Sequence, residues 1–474
     1  MRVGVRVGKE DFFYDIHSLV RAFYPDDEVS VYAAGDAEKE ALPRDLVIEV
    51  SIPPYSSRKA AKDSLKRELY GRLRAMTGKN LPWGTLSGIR PTKIPSGLLR
   101  EGKTREEIAA YMSGNYLASP EKIELAIRVA ENERRILSGI PFGPETFSLY
   151  LHVPFCPSIC LYCTFSTSPM DRYGGLADAY LEALFREMDR ETEMLPDGRR
   201  PIPTSFYIGG GTPTALSASQ LDRLLAETEK RYDLAAARER TVEAGRPDSI
   251  TREKLRVLKS HGIDRISVNP QTMNQKTLDL IGRRHTAEDT LKAYGLAREE
   301  GFRNINMDII LGLPGEDIGE VSETLEAIRK LKPDSLTVHS LAVKRASRLT
   351  RTLKEELSAG SIQDYSSYEG LSFHNSGPII RMAYETAMEL GMEPYYLYRQ
   401  KNMKGGLENT GFALPGKECL YNILIMEELE EIRAFGAGAS KKKLEPGGKP
   451  ARKINPKDLK TYLERQDEPI QPCN

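Results

Sequence analysis

Three of the chain's five cysteines, Cys156, Cys160 and Cys163, are spaced Cys-x3-Cys-x2-Cys directly after a short apolar run. Four thiolates would close a tetrahedral zinc or iron–sulfur site, whereas three leave one metal position open. This arrangement suits a [4Fe–4S] cluster whose fourth iron binds a ligand other than the protein. The alternative is a structural zinc site in which His152 supplies the fourth ligand.

A run of three glycines, Gly209, Gly210 and Gly211, follows the second predicted strand of this region and precedes Thr212. Glycines without a Cβ let a ligand approach the backbone and leave N–H and C=O groups free to bind it. A glycine run alone is more often a turn. Its position one strand–helix unit after the cysteine loop favours a ligand-binding role.

Polar side chains recur where successive strands are predicted to end. Glu243 ends the third predicted strand, Gln271 follows the fourth, and Asp308 lies in the fifth. In barrels built from parallel strands, ligand sites form at the carboxyl ends of the strands. Each residue alone could instead cap a loop by a hydrogen bond. Their recurrence at one end of several strands predicts a ligand site.

The elements that must position these residues alternate between strand and helix patterns. Strands are predicted at 148–153, 205–209, 241–244, 264–268, 305–310 and 335–339, with amphipathic helices between them. Six such repeats predict an α/β fold with a partial (β/α)6 barrel. We expect three domains: an N-terminal α+β module over 1–143, the barrel over 144–345, and a mainly helical C-terminal domain with a basic tail over 346–474.

The N-terminal module shows strand patterns at residues 2–7 and 46–52 and helix patterns at 58–76, 104–113 and 119–137. It carries no chemical signature. We interpret Trp83 and Arg90 as packing and turn residues rather than ligands. In the C-terminal region a tyrosine segment, Tyr395–Tyr398, interrupts the helical pattern, and the basic tail beginning at Lys441 is expected to be solvated.

The overall composition excludes several classes of protein. Lys+Arg and Asp+Glu both number 68, so the formal net charge is zero, which argues against a general binder of nucleic acid or membrane surfaces. No apolar stretch approaches the roughly 20 residues that a membrane span needs. Few, clustered cysteines and no signal-peptide pattern favour a cytoplasmic location, where an oxygen-sensitive cluster survives.

Taken together, the cysteine loop and the motifs after it resemble the radical S-adenosylmethionine superfamily, and within it the oxygen-independent coproporphyrinogen III oxidase (dehydrogenase) family. The segments that carry the resemblance are residues 150–156, 209–214, 264–271, 282–285, 308–314 and 435–440. Residues 88–94 and 338–347 are similar to the long Gram-positive form of the family. The match is strong over about 148–340 and looser over 395–440.

The resemblance implies a role for each matching position. A [4Fe–4S] cluster is bound by Cys156, Cys160 and Cys163, and its open iron chelates S-adenosylmethionine. The residues expected to contact S-adenosylmethionine are Tyr150, Tyr162, Gly210, Gly211, Thr212, Glu243, Gln271, Arg283, Asp308 and, through its backbone, Ala342. His152 beside the cluster is expected to assist proton or electron movement, and together with Tyr150 it is the catalytic candidate.

The implied reaction is oxidative decarboxylation of coproporphyrinogen III to protoporphyrinogen IX. Reductive cleavage of S-adenosylmethionine gives a 5′-deoxyadenosyl radical that abstracts hydrogen from the β-carbon of a propionate. Loss of CO2 and one electron then leaves a vinyl group. The expected partners are this tetrapyrrole or a related one and an electron donor such as flavodoxin or ferredoxin, and we expect a monomer. Basic residues that could face the substrate carboxylates, although a solvated surface role is favoured for each, are Lys344, Arg345, Arg399 and Lys401.

Two positions depart from the family pattern. The family's oxidase carries a fourth cysteine two positions after the last cluster ligand, where this chain has Phe165. Its heme-chaperone branch carries a His-Asn pair after a Pro-Gly turn, where this chain has Tyr421-Asn422. The first departure puts the decarboxylation in doubt, and the second weakens a chaperone function. A heme-trafficking protein and a radical enzyme acting on another tetrapyrrole are therefore the alternatives.

Overall fold

The computed structural model describes residues 1–8, 10–25, 27–51, 57–88, 90–143, 145–165, 167–341, 375–399, 407–444 and 450–467. The chain divides into two compact units. The smaller comprises Met1–Leu137, Ser340–Val343 and Pro394–Thr410, and the larger comprises Ser138–His339, Lys344–Glu393 and Gly411–Asn474. The three-domain division expected from the sequence stays a prediction.

The smaller unit contains a parallel sheet in the order β2-β1-β3, formed by β1 (Arg2–Val7), β2 (Glu28–Ala33) and β3 (Leu46–Val50). Val3, Val5 and Val7 are buried because alternate residues of a strand share a face. The helices of this unit are α1 (Phe13–Phe23), α2 (Ala37–Glu40), α3 (Arg58–Thr77), α4 (Lys93–Arg100), α5 (Arg105–Tyr116) and α6 (Pro120–Leu137).

Local capping signals account for the bounds of the helices in the smaller unit. Ser57 begins α3 by accepting a hydrogen bond from the Ala60 N–H, and Gly78, with φ of 68°, ends it. Thr104 and Glu107 form a capping box at the start of α5. The three predicted helices are confirmed, whereas α1, α2 and α4 were not predicted from the sequence.

The larger unit is organised around six strands that lie side by side in chain order. They are β4 (Phe147–Val153), β7 (Ser205–Gly210), β8 (Glu239–Val242), β9 (Arg265–Ser267), β10 (Ile305–Leu311) and β11 (Ser335–Ser340). The pairings from β4 through β10 are parallel. The predicted α/β fold is confirmed. The third strand, however, ends at Val242, so Glu243 follows it rather than ending it.

Helices between and after these strands cover the sheet. They are α7 (Met170–Tyr173), α8 (Ala177–Glu191), α9 (Ala218–Arg231), α10 (Arg252–Ser260), α11 (Gln275–Leu280), α12 (Ala287–Glu299) and α13 (Ile318–Leu331). Ser217 and Gln220 form a capping box at the start of α9. Leu221, Leu224 and Leu225 are buried, as their helical spacing predicts.

The C-terminal region, expected to be mainly helical, also contributes strands. Its described elements are α14 (Gly377–Glu389), β12 (Glu393–Tyr398), β13 (Asn409–Ala413), α15 (Leu420–Glu427), β14 (Glu431–Phe435), β15 (Ser440–Lys443), β16 (Ala451–Ile454) and α16 (Leu459–Asp467). Strand β14 pairs in parallel with β4. Lys441, expected in a solvated tail, lies in β15, and its ammonium is 2.8 Å from Glu187 Oε1. Among the described helices, none is long and apolar enough to cross a membrane.

Candidate active site

The cysteine loop begins where β4 ends. Cys156 lies in a short strand, β5 (Phe155–Cys156), which pairs with β6 (Ser168–Pro169), and the Cys163 N–H donates to the Cys160 carbonyl at 3.1 Å. All three cysteines are free thiols; Cys156 and Cys160 are buried and Cys163 is partly exposed. The structure therefore holds all three thiols on one loop at the carboxyl end of β4.

Two buried arginines approach this loop. Arg246 donates to the Ser158 carbonyl at 3.0 Å and lies 3.8 Å from Cys160 Sγ, and Arg283 interacts with both Cys160 and Tyr162. Burial raises the pKa of the Cys156 thiol to about 12, while both arginines oppose the rise. Two fixed cations beside the thiols favour an anionic thiolate centre. The sequence analysis missed Arg246, although it follows the third strand just as the other candidates follow theirs.

The glycine run packs directly against the cysteine loop. A Cβ on Gly211 would collide with the Phe155 carbonyl and lie 3.0 Å from Cys156 Sγ, so no larger residue fits. Gly210 has a φ of 112°, a conformation that glycine tolerates. The Gly211 and Thr212 N–H groups donate to the Val153 and Phe155 carbonyls at 2.7 Å. The expectation that the N–H groups of the glycine run are free for a ligand is therefore wrong for Gly211, and the neighbouring Thr212 N–H is also used within the fold.

Three tyrosines stack against the middle of β4 and β7. Tyr150 and Tyr207 are register partners on neighbouring strands, and Tyr421 of α15 stacks on both, with ring centroids 5.7 and 4.5 Å away respectively. The Tyr207 hydroxyl donates to Glu243 Oε1 at 2.5 Å. Burial raises the pKa of Glu243 to about 7. Tyr150 also lies 3.3 Å from His152 Nδ1, so the two predicted catalytic residues are in contact.

Gln271 and Asp308 are brought together from neighbouring strand ends. The Gln271 N–H donates to the Asp308 carbonyl at 3.0 Å, and Gln271 adopts a left-handed backbone with φ of 67°. Asp308 Oδ1 accepts from Asn306 at 2.7 Å, and His339 lies 3.9 Å from Oδ2. Burial alone would raise the pKa of Asp308, but His339 and these hydrogen bonds lower it overall. Asp308 is therefore ionised at neutral pH.

The side chains present suit a cluster with a polar ligand beside it. In the part of the chain that the structure describes, the buried polar atoms at this end of the sheet that have no hydrogen-bond partner include Ser267 Oγ, Gln271 Oε1 and Arg283 Nε. Buried polar groups are normally satisfied, so such atoms mark a place for a ligand. No group of three His, Cys, Asp or Glu side chains among the described residues is arranged to hold one metal ion. A cluster does not require that convergence, because each thiolate binds a different iron.

Other expected residues are not brought into this site. Ala342, Lys344, Arg345 and Lys401 lie outside the described residues. Arg399 belongs to the smaller unit, where it donates to the Leu86 carbonyl at 2.5 Å rather than being solvated.

The sequence of this chain is similar to that of several known proteins. The model of the Radical SAM superfamily matches residues 150–328. The chain is 41% identical over 409 residues to the oxygen-independent coproporphyrinogen-III oxidase-like protein HemZ of Bacillus subtilis, covering 86% of this chain and 79% of the relative. It is 33% identical over 294 residues to the heme chaperone HemW of Lactococcus lactis, covering 62% and 69%.

Among solved structures, coproporphyrinogen III oxidase (HemN) from Escherichia coli, a radical SAM enzyme, is similar with a TM-score of 0.53 and 25% identity. The match covers 71% of this chain and 72% of that one.

Proposed function

Because this chain belongs to the radical S-adenosylmethionine family that includes the coproporphyrinogen oxidase-like proteins and the heme chaperones, we propose that it decarboxylates coproporphyrinogen III oxidatively without oxygen. As a family member it uses a [4Fe–4S] cluster and S-adenosylmethionine. The product is protoporphyrinogen IX. In each of two rounds a propionate loses one β-hydrogen, CO2 and one electron, the last passing to an acceptor. A flavodoxin or ferredoxin as donor, a monomeric state and a cytoplasmic location belong to the same proposal.

The cluster site is assigned to Cys156, Cys160 and Cys163. When bound, the cluster and S-adenosylmethionine supply one-electron cleavage that produces a carbon radical able to abstract hydrogen. Arg246 and Arg283 offset the negative charge of the thiolates. The tight packing of Gly211 on Cys156 excludes water from that side of the loop, since no space remains between them.

The remaining strand-end residues are assigned to S-adenosylmethionine. Asp308 offers an ionised carboxylate and Gln271 an unpartnered amide oxygen, which suit the amino, hydroxyl and base donors of the molecule. The other residues assigned to it are Tyr150, Tyr162, Gly210, Gly211, Thr212, Glu243, Arg283 and Ala342. For Gly211 the backbone carbonyl is assigned to this contact, because its N–H group is used within the fold, whereas the Thr212 carbonyl already accepts from the Ala215 N–H at 2.9 Å. His152, in contact with Tyr150, is assigned to proton movement beside the cluster.

The observation that most favours turnover over heme carriage is the environment of Tyr421. It occupies the position where the resemblance places the chaperone's heme-contacting histidine, and it is buried in the stack with Tyr207 and Tyr150. Residues 375–474 contain no histidine. A heme iron would therefore find no imidazole ligand in this part of the chain.

Heme trafficking remains the second candidate, on two observations. The Lactococcus lactis relative is a heme chaperone, and Phe165 stands where the oxidase has its additional cysteine. Phe165 is 72% exposed, so the cysteine loop presents an apolar ring to solvent. An exposed ring on this loop is suited to contact a flat apolar macrocycle.

An anaerobic assay separates the two functions. Reconstituted protein is incubated with S-adenosylmethionine, dithionite and coproporphyrinogen III, and CO2, 5′-deoxyadenosine and porphyrinogen mass are followed. Decarboxylation predicts CO2 and 5′-deoxyadenosine forming in step, with Cys156→Ala as the inactive control. Weak heme binding is expected in a parallel titration. Stoichiometric tight heme binding without CO2 release would contradict the proposal and favour the chaperone.

A further inference from the structure

A cavity of about 210 Å³ lies wholly within the smaller unit and is lined by unusually many cations. Its described lining includes three lysines and one arginine against a single carboxylate; they are Lys59, Lys62, Lys66, Arg90 and Asp63. Among the residues that the structure describes, none of those assigned to the cluster or to S-adenosylmethionine lines it. The proposed decarboxylation makes no use of this cavity.

The lysines face one way because of helix α3. Lys59, Lys62 and Lys66 are three and four residues apart, so their side chains emerge on one face of the helix. Leu65 and Leu69 follow Lys62 by three and seven residues, so they form a stripe next to the lysines, and this stripe packs into the hydrophobic core of the unit. The helix is thus anchored by an apolar stripe that adjoins the basic stripe bordering the cavity.

Arg90 and Ser87 reach the cavity on a loop held from both sides. The Thr85 N–H donates to the Tyr116 carbonyl at 2.7 Å, and Trp83 Nε1 donates to Glu408 at 2.7 Å. At Gly84, with φ of 53°, a Cβ would collide with the Tyr116 carbonyl. These contacts hold the loop in place without a ligand. Arg90, which the sequence analysis interpreted as a turn residue, is a cation that lines the cavity.

Of the cations around the cavity, Lys66 is the one that most requires a counter-ion. Lys66 is 5% exposed, and its ammonium donates a hydrogen bond to Ser87 Oγ at 2.8 Å. In the described part of the chain no carboxylate lies within ion-pair distance of it. Burial lowers the pKa of Lys66 to about 8, with Lys62 and Arg399 adding to the fall and Asp15 and Asp63 opposing it. A buried ammonium whose partner is a neutral hydroxyl is costly unless an anion neutralises it.

We propose that this cavity binds the phosphate group of a small phosphorylated molecule, held by Lys66, Arg90 and Ser87 within the field of Lys59 and Lys62. A phosphate ester carries close to two negative charges and accepts several hydrogen bonds, which matches this excess of donors. The volume favours a small molecule, since sites for drug-sized ligands span roughly 300–1,000 Å³. A tetrapyrrole macrocycle therefore does not fit. The inference is independent of the proposed decarboxylation.

Calorimetric titration of the full chain with its cluster, without S-adenosylmethionine, tests the proposal. The probes are inorganic phosphate, ribose 5-phosphate and adenosine monophosphate, with succinate as a dianion that lacks phosphorus. We expect a phosphate ester to bind more tightly than inorganic phosphate and succinate. Equal or tighter binding of succinate, tighter binding of inorganic phosphate, or no binding of any ester at millimolar concentration would overturn the assignment.

Paired variants locate the binding. Arg90→Gln and Lys62→Gln should each weaken ester binding about tenfold, the loss expected for one charge-assisted contact. The matched controls are Arg74→Gln, an exposed position on the same helix, and Lys103→Gln, which pairs with Glu107 at the surface. Equal effects in the lining and control variants would place the ligand elsewhere. Lys66→Met removes the buried charge but risks the fold, so it is not needed for the decision.

Discussion

Replacing Glu243 with glutamine should stabilise the protein at neutral and alkaline pH and leave its stability unchanged under acid conditions. Glu243 has a pKa of about 7 in the folded protein against 4.5 in the unfolded chain, chiefly because burial disfavours its charge. Between these values the folded state binds more protons than the unfolded state. Stability is therefore lost as pH rises from about 4.5 to 7.

The rise in the pKa of Glu243 sets the size of the change in stability. A rise from 4.5 to about 7 corresponds to at most about 3 kcal/mol of unfolding free energy. Because Glu243 is only partly buried by its accessible surface, solvent screening should reduce this to about 2 kcal/mol. Glutamine has nearly the same shape and keeps an acceptor for the Tyr207 hydroxyl, so the comparison isolates the charge.

The assay is anaerobic guanidinium unfolding of wild-type and Glu243→Gln protein, without S-adenosylmethionine, between pH 5 and pH 8. The variant's advantage should grow with pH and level off above pH 7. Glu227→Gln serves as the control, because Lys230 and Arg231 lower the pKa of Glu227, so its effect should stay constant over this range. A constant difference between wild type and Glu243→Gln, or a variant less stable at pH 8, would refute the reasoning.

Three further predictions concern the cluster and its ligand. Alanine at any one of Cys156, Cys160 or Cys163 should abolish cluster absorbance and S-adenosylmethionine cleavage together, whereas Cys419→Ala should keep both; loss of the cluster in Cys419→Ala would indicate a four-thiolate site. Asp308→Ala and Gln271→Ala should weaken S-adenosylmethionine binding by about 1.5–3 kcal/mol, measured by equilibrium dialysis, with iron content unchanged; unaltered affinity in both would mean that the nucleoside lies elsewhere. Arg246→Gln should lower the amount of iron retained per chain after gel filtration, because the variant loses the contacts with Ser158 and the ion pair to Asp248 at 2.8 Å. The control Arg240→Gln, which removes a more exposed ion pair, should retain as much iron as the wild type.

Much of the larger unit could be predicted because its signals are local. The alternation of apolar runs with amphipathic helices located all six central strands, with bounds within one or two residues. The capping box at Ser217 depends on residues three apart and was predicted on that basis. Helix α4 was missed because it is short and contains Pro95 and Gly97. The C-terminal strands were missed because each is short and gains its stability from neighbours far away in the chain, as β14 does from β4.

By itself the sequence determined the cysteine loop, the glycine run and the order of the strands, since spacing and period are properties of neighbouring residues. Only the tertiary structure decided which residues from distant parts of the chain contact the cysteine loop and the strands. Tyr421 stacks on Tyr207 from more than 200 positions away, and Arg246 reaches Cys160 from the end of another strand. It also decided that the Gly211 and Thr212 N–H groups serve the fold rather than a ligand, and that Lys66 is buried beside a cavity. Burial and long-range contact set these electrostatic properties, and neither is encoded in local spacing.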